Sequence, residues 1–196
     1  MRVLVHLCCG PCGIMPVTRL LDEGLDVAGI FYNPNIHPLM EYLRRRESAV
    51  AAAGKLSIEL MLPDAHDAGA WNLERWLAAV HDAAEVPAGP GSTDRCDFCY
   101  RDRLLVAARE AKRNGFDAFT TSLLYSRMQR HEAIKAQAEQ VAEQVGVAFL
   151  YRDFRGDWQE GIDRSKAWDL FRQNYCGCVY SEAERFARKY GKLQRT

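Results

Sequence analysis

Short apolar runs alternate along the chain with longer segments whose apolar positions recur every three or four residues. The first pattern is that of a buried strand, the second that of an amphipathic helix. Residues 2–7 (RVLVHL), 26–32 (DVAGIFY), 57–62 (SIELML), 118–121 (AFTT) and 147–151 (VAFLY) read as strands. Residues 14–23, 39–55, 68–84, 97–114, 128–146, 166–174 and 181–190 read as helices. Gly24 and Gly115 stand where two of them should stop, and Gly54 falls near the end of a third. Trp71, Trp76 and Leu77 are expected on one side of the helix at 68–84. Strands separated by helices of this length are the pattern of βαβ units. The expected fold is therefore α/β and Rossmann-like: a single domain over residues 1–196, with a mostly parallel sheet and helices on both faces. In such sheets the ligand lies beyond the carboxyl ends of the strands. Residues 8–12, the NPNIHP loop (33–38) and TTSLLYS (120–126) each follow a predicted strand and should share that edge. EVPAGPGSTD (85–94) is the expected mobile loop.

Composition narrows the function classes. The chain's 196 residues suffice for one well-buried core. With 26 basic and 26 acidic residues the net charge is zero, which argues against a generic, charge-driven nucleic-acid binder. A structured RNA substrate stays open, because arginines gather beside the loops: Arg44 to Arg46, Arg101, Arg103, Arg152 and Arg155. A solvated helix face is the equal alternative for Arg44 to Arg46. Met1-Arg2 leads directly into an apolar run too short for a signal core, and no stretch approaches the ~20 apolar residues of a membrane span. The expectation is a soluble, cytoplasmic chain with reduced thiols and no membrane partner.

The chemistry lies in seven cysteines that fall in three tight groups: Cys8, Cys9 and Cys12; Cys96 and Cys99; Cys176 and Cys178. Structural cysteines scatter through a core, and a disulfide framework needs an oxidising compartment and an even count. Grouped thiols point instead to metal. Four thiolates suit an iron–sulfur cluster or a structural zinc. Zinc alone would leave three thiols idle, whereas four for a 4Fe–4S cluster and three for a second metal uses them all. Adjacent Cys8 and Cys9 are better placed to serve two neighbouring metals than one, and Gly177 lets the CGC segment turn tightly. Of the histidines, His6 reads as a core residue and His37 as a functional one. His66, His81 and His131 read as surface or helix residues.

LHLCCGPC, FYNPNIHPLMEY, RCDFCYRDRL, FTTSLLYS and FRQNYCGC, in that order, closely resemble the cobalamin-independent epoxyqueuosine reductases (QueH), over Val5 to Ser181. The resemblance implies an adenine-nucleotide alpha-hydrolase-like fold and an oxidoreductase. Its implied reaction is the last step of queuosine biosynthesis, reduction of epoxyqueuosine to queuosine at the wobble position of tRNA. It further implies a 4Fe–4S cluster, an adjacent mononuclear metal taken to be iron, and a low-potential electron donor. Carried over by position, Cys9, Cys96, Cys99 and Cys178 go to the cluster and Cys8, Cys12 and Cys176 to the adjacent metal, with exchange open inside each doublet. Some family members carry aspartate where this chain has Cys12, and the family's Pro-Tyr after its serine is Arg127-Met128 here.

Epoxide removal needs two electrons and two protons. Tyr32, His37, Asp153 and Tyr175 are the candidate proton donors by their place in or near the loops, each with a structural role as the alternative. Phe31, Tyr32, Tyr100 and Tyr125 are the aromatics near these segments, with Phe31 read as core. Tyr125 is taken for substrate stacking, and Arg101, Arg103, Arg152 and Arg155 for tRNA phosphates. Three rivals stand beside this reading. A cluster-dependent tRNA thiolation enzyme would need a phosphate loop. A zinc-stabilised RNA-binding module would be colourless. An iron–sulfur redox regulator would need a DNA-reading helix.

Overall fold

The first strand, β1 (Arg2–His6), is the centre of the sheet in the computed structural model, which describes residues 1–63, 73–84 and 94–193. Val3, Leu4 and Val5 are fully buried although their side chains alternate between the two faces of the sheet. Both faces must therefore be covered, as in parallel α/β sheets. β2 (Asp26–Ile30), β3 (Leu60–Met61), β4 (Ala118–Thr121) and β5 (Ala148–Phe149) complete a five-stranded sheet of order β3-β2-β1-β4-β5. Every pairing is parallel, with Val5 opposite Gly29 on one side and Thr120 on the other.

The helices are α1 (Gly10–Asp22), α2 (Leu39–Leu56), α3 (Leu73–Ala84), α4 (Asp94–Arg113), α5 (His131–Val145), α6 (Trp158–Ala167) and α7 (Val179–Leu193). α1 packs on α2 and α6, while α4 packs on α5. The chain first winds from β1 outward to β3, then returns to β4 beside β1. Right-handed crossovers in opposite directions place their helices on opposite faces. The reversal lies between β1 and β4, and a crevice opens there beyond the carboxyl ends of the strands.

The predicted strands all form, but the two edge strands shrink to two residues each. Short edges leave less unpaired backbone open to another chain. α1 starts four residues before the predicted helix, because Cys9 caps it and a proline stands in its first turn. α4 starts at Asp94, three residues before the predicted helix, so Cys96 rides on the helix together with Cys99. The helix predicted at 166–174 does not form. α6 ends at Ala167, Asp169 takes a left-handed φ of 52°, and the Leu170 N–H closes on the Ser165 carbonyl. That is a helix C-terminus of the Schellman type with aspartate in the place glycine usually takes. On α3, Trp76 is buried while Leu77 is 38% exposed, so the two do not share the core side. Trp71, His66 and residues 85–93 of the predicted mobile loop lie outside the described residues.

Candidate active site

β1 delivers Cys8 to the switch point, and β4 delivers Ser122 beside it. The Cys8 N–H donates to Ser122 Oγ at 2.9 Å, and the same hydroxyl lies 3.3 Å from Cys8 Sγ. Cys9 caps α1: its sulfur accepts the Cys12 N–H at 3.4 Å and the Gln173 amide Nε2 at 2.8 Å. The sulfurs of Cys8, Cys9 and Cys12 all lie within 4.8 Å of one another. The neighbouring Cys8 and Cys9 sulfurs lie 4.0 Å apart. Hydrogen bonds from Cys12 and Cys9 hold the Cys8 thiol well below its ordinary range. Burial pushes Cys9 up to about 12, and the bonds to Cys8 and Cys9 push Cys12 up. The hydrogen bonds among the three sulfurs thus favour the thiolate at Cys8, the form that binds a cation.

The Cys176-Gly177-Cys178 turn is clamped from beneath. Arg45, only 1% exposed, donates to the Cys176 carbonyl at 2.9 Å and the Tyr175 carbonyl at 3.2 Å, and pairs with Glu41. The His37 N–H donates to the Gly177 carbonyl at 3.0 Å, and the Tyr175 hydroxyl returns to the His37 carbonyl at 3.1 Å. Gly177 has φ 123°, and a Cβ there would lie 2.8 Å from Ile36 and 3.0 Å from Arg45. Only glycine meets both demands. The result sets the two sulfurs 3.7 Å apart, with the Ser181 hydroxyl 3.0 Å from Cys176. The bond with Cys178 draws the Cys176 thiol down to about 5 and drives that of Cys178 up.

The third group joins through packing. Cys99 shares a small apolar cluster with Cys178, Trp76 and Val80. Its burial, reinforced by the Cys176 and Cys96 charges, pushes its thiol up to about 11. Arg103, 5% exposed, donates to the Cys99 carbonyl at 3.0 Å. Its charge favours the Cys99 and Cys176 thiolates and disfavours protonation of His6. Arg103 is therefore a buried counter-charge to the cysteines at the cavity wall. His6 is a core residue: burial holds it down to about 4, and it bridges Thr121 and the Tyr32 carbonyl.

A cavity of about 580 Å³ opens above the thiols. Cys8, Cys12 and Cys176 line it together with Arg45, Arg103, Gln173, Tyr175 and Trp158. Cys9, Cys99 and Cys178 are buried behind that wall. All seven cysteines are free thiols, and so soft and dense a donor set fits iron–sulfur or zinc chemistry.

Tyr175 is the one proposed proton donor in the cavity wall. Burial pushes its hydroxyl up to about 12. Tyr32 is buried and accepts from Arg75 at 2.9 Å. His37 faces Glu182 at 3.5 Å. Asp153 is not in the wall; its ion pair with Arg155 holds its carboxyl down to about 2, so at neutral pH it has no proton to give. Arg101 bonds Gln144, Arg152 pairs with Glu23, and Arg155 pairs with Asp153, all at the surface. Tyr125 is 3% exposed and stacks on Trp158, so its ring is not open to a base; Tyr100 and Phe31 are equally buried. The sequence reading missed Ser122, Gln173 and Trp158 and weighed Arg45 only as one of an arginine run. An arginine four residues after a glutamate on one predicted helix was the available signal for Arg45.

Fold and site together define a Rossmann-like α/β protein that gathers three cysteine groups at the switch point of its sheet. Among solved structures it is similar to a predicted subunit of tRNA methyltransferase from Methanocaldococcus jannaschii, with a TM-score of 0.54 at 13% identity over 85% of this chain and 74% of that one, a likeness of fold alone. The family model for epoxyqueuosine reductase QueH matches residues 3–184. Curated relatives of that name are 35% identical over 195 residues in Thermotoga maritima (98% of this chain, 96% of the relative) and 34% over 187 residues in Dehalococcoides mccartyi (95% and 96%). A third, from Acinetobacter baylyi, is 35% identical over 184 residues, 92% of this chain and 80% of the relative. The chain belongs to the epoxyqueuosine reductase QueH family, a family of oxidoreductases.

Proposed function

We propose that this chain reduces epoxyqueuosine to queuosine in the wobble position of tRNA, residues 1–196 acting as one catalytic domain. The observation that carries the reading is the division of the thiols. Cys8, Cys12 and Cys176 face a cavity large enough for a nucleoside, and Cys9, Cys99 and Cys178 lie buried behind them. It supports assigning Cys9, Cys99 and Cys178, with Cys96 beside Cys99 on α4, to a 4Fe–4S cluster and Cys8, Cys12 and Cys176 to an adjacent iron. When bound, the two centres supply the two electrons of the reduction and an electrophile for the epoxide oxygen. The balance is one epoxide, two electrons and two protons giving one alkene and one water.

The remaining work falls to the protein. Ser122 and Gln173 orient the sulfurs of Cys8 and Cys9, and Arg45 with Gly177 presents Cys176 to the cavity. Buried Arg103 offsets the thiolate charge. Tyr175, in the wall beside Cys176, is the proton donor of choice, and the His37 carbonyl, which accepts from its hydroxyl at 3.1 Å, holds it in place. Anticodon-loop bases are already splayed, which lowers the cost of bringing one into the cavity. Surface arginines Arg101, Arg152 and Arg155 are candidates for the flanking phosphates. The tRNA substrate places the enzyme in the cytoplasm. No helix among the described residues is long and apolar enough to cross a membrane.

The test is mass spectrometry of nucleosides from epoxyqueuosine-containing tRNA after anaerobic incubation with reconstituted protein and a strong reductant. Queuosine formed without cobalamin or ATP is the expected result. A brown, fully loaded protein that forms none would overturn the reading.

A further inference from the structure

We propose that Trp158 is the stacking surface for the nucleobase of the bound nucleotide, and that it orients the base so that its modified substituent reaches the thiol-lined wall. The proposal rests on the reading of this cavity as the nucleotide site.

The aromatics that a sequence reading would choose are withdrawn from the cavity. Phe31, Tyr32, Tyr100 and Tyr125 are each at most 6% exposed. Among the described residues two aromatics line the wall, Trp158 and Tyr175. The Tyr175 ring is engaged by the Arg45 guanidinium at 5.1 Å and the Phe186 ring at 6.4 Å. Trp158 is only half-buried. Tyr125 stacks on it, 5.2 Å between centroids and 25° between planes, and Trp158 lines the cavity.

The indole is held in a built mount. The Tyr125 hydroxyl donates to the Trp158 carbonyl at 2.9 Å. Gly161, one turn further along α6, makes room for that hydroxyl: a Cβ there would lie 2.2 Å from it. The exposed Arg127 guanidinium lies over the indole, 6.0 Å from the ring centre, and bonds the Arg155 carbonyl, so an incoming base would meet it at the ring. A rigid aromatic with little rotamer freedom left gives up little entropy on binding. Every base has a π-face, so such a platform gives affinity, and polar neighbours must give the choice of base. Gln173 supplies one: it lines the same cavity, and its buried Oε1 has no hydrogen-bond partner among the described residues. An unmatched acceptor calls for a ring N–H or an exocyclic amine, as on the edge of a guanine-like base.

The experiment uses the metal-loaded full chain and an anticodon stem-loop RNA carrying epoxyqueuosine. Two readouts are followed, steady-state turnover and quenching of tryptophan fluorescence on titration with the RNA. Trp158→Ala is expected to raise KM roughly 5- to 150-fold, the range carried by one base stacked on an aromatic. Trp158→Phe keeps a ring against Tyr125 and is expected to raise it less. The RNA should quench the wild type, and Trp158→Phe should lose that component while its remaining tryptophans report a folded protein. A KM unchanged in Trp158→Ala, or equal quenching in wild type and Trp158→Phe, would overturn the proposal. If the wild type binds and is quenched but forms no queuosine, the reductase reading fails and the stacking surface stands.

Discussion

The Ser122 hydroxyl accepts the backbone N–H of Cys8 at 2.9 Å and presents its own proton to the Cys8 sulfur 3.3 Å away. The first residue after β4 thus fixes the second residue after β1, across the point where the strand order reverses. Ser122→Ala leaves that N–H buried without a partner. We expect a loss of ~1–3 kcal/mol in urea denaturation. A loss under ~0.5 kcal/mol would mean that the hydroxyl does not hold the turn.

Arg45 is the keystone of the CGC turn, and Glu41, 12% exposed, is its counter-charge. Arg45→Met strands a carboxylate and two carbonyls in the interior. The expected cost is about 3–5 kcal/mol, and Glu41→Gln in the same chain should recover part of it. Denaturation of the single and double variants checks both the size and the recovery.

The two sets of thiols should separate analytically. Serine at Cys8, Cys12 or Cys176 is expected to lower bound iron while leaving acid-labile sulfide near the wild-type level. Serine at Cys9, Cys99 or Cys178 is expected to lower both, with the visible absorbance of the cluster. Iron and sulfide assays on anaerobically reconstituted variants decide it. Equal loss from both sets would show that the division by exposure does not follow the division of the metals.

Asp153 carries the pH prediction. Its carboxyl, at about 2 in the folded chain against ~3.9 unfolded, contributes stability that is present above the unfolded value and is lost as pH falls through ~4 to ~2. The side chain is 41% exposed, so solvent screening keeps the contribution below about 1 kcal/mol. Asp153→Asn should flatten the acid limb of stability by that small amount and leave turnover unchanged. A large drop in turnover would return Asp153 to the chemistry.

The parallel sheet, its helices and the edge where the loops meet were legible because they are periodic. β1 reads as an apolar run, and Cys8, Asn33 and Ser122 each follow a strand end. Asn33 indeed bonds the Leu7 carbonyl at 2.9 Å, next to Cys8. The helix predicted at 166–174 failed because its stop is an aspartate in a left-handed conformation, a signal that residue type alone does not carry. The burial of Tyr125 and Arg103 was not legible for a related reason. Both lie in segments beside the cysteines, and nearness along the chain does not say which way a side chain faces.

By itself the sequence determined the α/β class, the grouping of the cysteines and, through five ordered segments, the family, because these depend on local spacing and residue type. Only the tertiary structure decided which thiols face the cavity, that Arg103 and Arg45 are buried among them, and that Trp158 and not Tyr125 is the open aromatic. Those facts depend on contacts between segments more than a hundred residues apart, such as Arg45 with Cys176 and Cys8 with Ser122. Burial is a property of the packed chain, and a buried charge or an exposed ring acquires its role only when the neighbours that cover it, or fail to, are in place.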